Sequence, residues 1–73
     1  MLLTVERNPQ QQSVEMHFDL AGLDLFIRRL EVLKANGGHD HLMSSSWAGT
    51  ELSEEKQGVD NELVHHLSLH LWP

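Results

Sequence analysis

The sequence predicts an α+β fold: a two-layer sandwich in ββαββ order, with one helix on one face of a four-stranded antiparallel sheet. Three observations predict it. Two short stretches near the amino terminus alternate apolar and polar residues with a period of two. A single apolar stripe then recurs at helical spacing, and two more alternating stretches follow a Gly-Gly stop. At 73 residues there is room for one small α+β domain, residues 1–73.

Leu3 and Val5 alternate with Thr4 and Glu6, a short half-buried first strand. Val14, Met16 and Phe18 alternate with Ser13, Glu15 and His17, the second. Between them Asn8-Pro9 and three glutamines form a turn, because Pro9 lacks a backbone donor and biases Asn8 away from helix. The pair should form a hairpin whose loop is too long and too poor in glycine for a tight two-residue turn. Asp19 suits an N-cap, its carboxylate accepting from the first free N–H groups. Leu20, Leu23, Phe26, Ile27, Leu30 and Leu33 then form one apolar stripe. Lys34 suits the negative end of the dipole, and Asn36-Gly37-Gly38 stops the helix. A third strand is expected near His39 to Ser45. A polar loop with Glu51, Glu54 and Glu55 follows, then a turn at Gly58 to Asn61 and a long final strand from about Glu62 to Trp72. The expected core joins Leu23, Phe26, Ile27 and Leu30 to Phe18, Leu67 and Leu69.

Composition narrows the function classes. Eleven acidic residues against five Lys and Arg give a formal charge of −6. A protein that wraps phosphate backbones needs a basic face, so no nucleic-acid partner is expected. An acidic surface instead favours encounter with basic partners. No apolar run approaches the ~18 residues of a membrane span, and the amino terminus has no basic region before its apolar residues. The expectation is a cytoplasmic protein with no membrane partner. The absence of cysteine removes disulfides and Cys-based zinc sites. A core this small roughly balances an ordering cost of ~1.5 kcal/mol per residue. A homodimer is therefore expected, joined by a strand edge, the open sheet face or the helix back, where Leu25 and Val32 interrupt an otherwise polar surface.

Five of the six histidines fall on the third and final strands. Residues two apart on a strand share a face, so His39 and His41 point one way, as do His66 and His70. If Leu42 faces the core, these four share the open face with His17. One helix covers one face of a sheet, and the second can stay wet. The residues leave three uses for this face: a solvated polar surface, a contact for a partner, or a metal site of His39, His41 and His66. No cofactor is expected. His65, alone among leucines, reads as a packed and hydrogen-bonded side chain. Ser44, Ser45 and Ser46 lie near histidines but lack a Gly-x-Ser-x-Gly elbow, so no catalytic residue is assigned. Trp47 and Trp72 are large amphipathic anchors suited to a contact surface or to covering a small core.

The blocks His39-Asp40-His41-Leu42-Met43, Trp47-Ala48-Gly49 with Glu51-Leu52, and Asn61-Glu62-Leu63-Val64-His65-His66-Leu67 resemble the immunity protein 32 family of bacterial polymorphic toxin systems. The likeness spans roughly Val14 to Trp72. It implies an α+β fold and a non-enzymatic protein that binds and neutralises a cognate toxin, and it carries over no catalytic residue. With that implication, His39, His41, Trp47, Glu51, Glu54, Glu55, His66 and His70 become the expected partner-binding residues.

Overall fold

β1 (Leu3–Asn8) and β2 (Ser13–Phe18) pair antiparallel in full register, from Leu3 opposite Phe18 to Asn8 opposite Ser13. The connecting turn closes on Asn8, whose side-chain oxygen accepts from the Gln10 and Gln11 N–H groups. The computed structural model describes the whole chain, residues 1–73. After β2 come helix α1 (Leu20–Asn36), β3 (Gly38–Met43), one 3₁₀ turn (Ser45–Trp47), β4 (Glu62–Val64) and β5 (His66–Leu71). No helix is long and apolar enough to cross a membrane.

The helix boundaries follow from the sequence. Asp19 accepts from Gly22 N–H at 2.8 Å. That bond, with the nearby Leu2 amide, holds its carboxyl below the usual carboxylate range. Gly37 takes φ 72° and donates to Leu33 O at 2.8 Å, ending the helix in a conformation that a Cβ would strain. Gly22 lies against the backbone of Leu2, just before β1. A Cβ there would collide with the Leu2 carbonyl.

The four-stranded sheet divides in two. Strands β2-β1-β4 form a three-stranded sheet and β3-β5 a two-stranded one, all antiparallel. The expected final strand is broken at His65, where its alternation slips by one. Val64 lies opposite Val5 and Leu67 opposite Leu42, and although three residues apart both pack against the core. The cause is local. The His65 carbonyl accepts from Ser44 N–H, while its ring is held by Ser44 and Glu54. Residues 52 and 53 bridge the gap: Leu52 N–H donates to Met43 O and Ser53 N–H to Leu3 O.

Leu3, Val5, Leu42 and Leu52 are the buried core, with Met16, Leu25, Phe26, Val64, Leu67 and Leu69 packed on it. The helix is rotated from its expected setting. Gly22, Leu25, Phe26 and Arg29 turn toward the strands, one residue out of phase with Leu23, Ile27 and Leu30, on the order of 100° at helical spacing. Leu25 therefore belongs to the core and not to a dimer-forming back, whereas Val32 is exposed. Phe18, Ile27 and Leu30, expected inside, remain 42%, 43% and 41% exposed. Two attachments set the rotation: Gly22 against Leu2, and Arg29 against Asp40 of β3.

β1 is buried on both faces. Leu3 and Val5 belong to the core, while Thr4 and Glu6, expected to be the wet face, and Asn8, expected in the turn, are also buried. Glu6 accepts from Gln57 N–H (3.0 Å), Gly58 N–H (2.9 Å), Asn61 Nδ2 (3.0 Å) and the Thr4 hydroxyl. The segment leading into β4 is thus laid over the sheet and fastened to one carboxylate.

Candidate functional site

In β3, Leu42 is fully buried, which turns His39, His41 and Met43 to the opposite face. Register then sets His39 opposite His70, His41 opposite Ser68 and Met43 opposite His66. The four imidazoles form one file with Trp47 at its end. Successive centroid distances from His70 through His39, His41 and His66 to Trp47 are 5.9, 5.1, 4.9 and 5.8 Å. His41 Nδ1 and His66 Nε2 are 2.7 Å apart. One of these nitrogens donates and the other must keep its lone pair, so the bond needs at least one neutral ring. The expected grouping holds for four of the five. His17 stays apart in β2, bonded to Glu15 Oε1 at 2.8 Å.

A file is a poor metal cage. His39, His41 and His66 stand side by side and do not converge on a point, and no three His, Asp or Glu side chains are placed to hold a metal ion.

Trp47 is 56% exposed and is presented by a tightly determined turn. Its N–H donates to Ser44 O, that of Ala48 to Ser45 O, and that of Gly49 to Ser44 O. Ala48 is left-handed at φ 62°, ψ 23°, a conformation that opposes its Cβ. Gly49 passes so close to Met43 that a Cβ would meet the Met43 carbonyl. Trp47-Ala48-Gly49 thus act as one device that sets the indole beside His66.

Beneath this turn Ser44, His65 and Glu54 come together without forming a nucleophile relay. Ser44 Oγ (2.7 Å) and Glu54 Oε2 (3.1 Å) approach the same ring nitrogen, His65 Nδ1, whereas a relay uses opposite nitrogens. Ser44 is also buried. The Ser46 and Ser45 hydroxyls both donate to Glu54 and hold its carboxyl below the usual range. A formal negative charge is therefore bonded to the Ser45–Trp47 turn that carries the indole.

The expected acidic surface is only partly free. Glu54 is occupied by serines and His65 as described. Glu51 turns inward to Arg29, with Oε1 3.6 Å from Nη2. Arg29 also grips Asp40 at both oxygens, Nε to Oδ2 and Nη2 to Oδ1 at 2.6 Å each. This bidentate bond draws the Asp40 carboxyl below its usual range. Glu55 alone of the three is exposed. Trp72 is exposed just beyond β5. A shallow cleft at the helix end, lined by Arg29, Leu33, Asn36, Gly37, His39 and Asp40, opens beside the file.

Sequence reasoning missed Glu6 and Arg29 as organising residues. Glu6 alternates like any outward strand residue, and nothing local announces the segment some fifty residues later that covers it. Arg29 next to Arg28 reads as a polar helix back until Asp40 draws one of the two inward. No family model matches the chain, and no curated protein or solved structure matches it.

Proposed function

We propose that this protein is a stoichiometric, non-catalytic binding module that neutralises a cognate bacterial toxin domain, as its resemblance implies. The observation that carries the reading is the open file His70, His39, His41, His66 and Trp47 on one side of β3-β5. Aromatic side chains with a polar tip are the usual anchors of protein interfaces, because they bury large area and still satisfy a hydrogen bond. Imidazoles donate and accept at neutral pH, so the face suits a polar peptide surface. The fixed Trp47 turn lowers the ordering cost of contact. The net charge of −6 suits a basic partner surface.

Growth protection tests the reading. Under this reading a toxin domain is expected to be encoded beside this chain's gene; co-expression with it should restore growth, and Trp47→Ala combined with His41→Ala should abolish the protection. Both side chains lie outside the core, so the double variant should stay folded. Failure of the wild type to protect, or full protection by the double variant, overturns the proposal.

A further inference from the structure

We infer that the free edge of β5 binds a second copy of this chain, forming an antiparallel β5–β5 pair about a two-fold axis at Ser68. β5 pairs with β3 on one side only, so its other edge presents a row of unpaired N–H and C=O groups. Such edges are ordinarily guarded by charge, proline or a bulge. β5 has none of these along His66 to Leu71. The other edge strands each carry a charged residue: Glu15 on β2, Glu62 on β4 and Asp40 on β3. A two-stranded sheet is also marginal alone, and a second copy would complete it as a four-stranded β3-β5-β5-β3 sheet.

Two features select a second copy over another protein. The first is the sequence of the edge: His66-Leu67-Ser68-Leu69-His70 is a palindrome. Antiparallel pairing centred on Ser68 sets His66 against the partner's His70, Leu67 against the partner's Leu69, and Ser68 against itself. The edge is self-complementary, as a two-fold interface requires. The leucine pairs extend the apolar layer on the helix side, and the imidazole file of one copy continues into that of the other. The second feature is charge. Two chains of formal charge −6 repel over most of their surface, yet residues 63–72 contain no Asp, Glu, Lys or Arg. This is the stretch along which like copies can meet without opposing charges.

Substitution at the two-fold position tests the pairing, because Ser68 is exposed and tolerates change in the single chain. Light scattering at micromolar concentration should give the wild type twice the 8.3 kDa chain mass. Ser68→Lys and Ser68→Glu should each halve it by setting like charges in opposition. An equimolar mixture of the two variants should restore the doubled mass. A second measurement uses the absence of cysteine from the chain. Directly opposed strand residues lie within disulfide reach, so Ser68→Cys should cross-link under mild oxidation much faster than Val59→Cys, which is 87% exposed elsewhere. A wild type of single-chain mass, a doubled mass unaffected by Ser68→Lys, a mixture that stays single, or equal cross-linking at both cysteines overturns the inference.

Discussion

Glu6 decides how the molecule responds to acid. Burial alone would push its carboxyl up. The donors from Thr4, Asn61, Gln57 and Gly58 outweigh that and bring it from 4.5 down to about 2. A group whose folded pKa is depressed contributes stability that is present above its unfolded value and lost as pH falls through the folded one. The contribution is therefore full above pH 4.5 and drains away toward pH 2, amounting to about 3 kcal/mol at 1.36 kcal/mol per unit. Urea unfolding against pH should show that loss. Glu6→Gln should lower stability at neutral pH by about 2–3 kcal/mol, because an amide NH₂ would face amide donors, and it should flatten the acid limb. A second residue-scale test is Gly22→Ala. An exposed mid-helix glycine gains about 1 kcal/mol from alanine. Here the Cβ meets the Leu2 carbonyl, so the expected change is a loss of about 1–3 kcal/mol, read as a lower Tm.

Helix α1 is held to β3 by one clamp, and its orientation follows from that clamp more than from its leucines. Arg29 grips both Asp40 oxygens and touches the His41 carbonyl at 3.3 Å. Arg29→Lys keeps the charge but loses the fork, and should cost about 1 kcal/mol, the pair being partly solvated. Thermal unfolding reads this directly, and Asp40→Asn should reproduce it if the clamp acts as a unit. The same clamp explains what the sequence revealed of the elements and what it hid. Asp19, Lys34 and Gly37 mark the helix ends by local rules, so the boundaries were legible. The rotation was not, because it depends on Arg29 finding Asp40 and on Gly22 meeting Leu2, both contacts between elements. The break in the last strand was hidden for a similar reason. Its residues alternate without interruption, and only the bonds from Ser44 and Glu54 to His65 force the slip. The open face of β3 was legible from alternation alone, since Leu42 fixes the parity of His39 and His41.

At the scale of the whole molecule, the helix and the core lie on one side of the strands and the imidazole file with Trp47 on the open side of β3-β5. The acidic loop does not stand free beside that file as the sequence suggested, because Glu51 and Glu54 are spent on internal partners. The proposed recognition then rests on the file itself, together with a net charge that favours basic partners. Other exposed apolar side chains, Phe18 at the end of β2 and Ile27 and Leu30 on the helix, offer a built-in comparison. Calorimetric titration of the purified chain with the cognate toxin domain that the proposed function requires tests recognition by the file most directly. One-to-one binding is expected. Trp47→Ala and His66→Ala should each weaken it at least tenfold, about 1.4 kcal/mol or more, while Ile27→Ser leaves it unchanged. Binding that survives both file variants and is lost with Ile27→Ser would contradict the account.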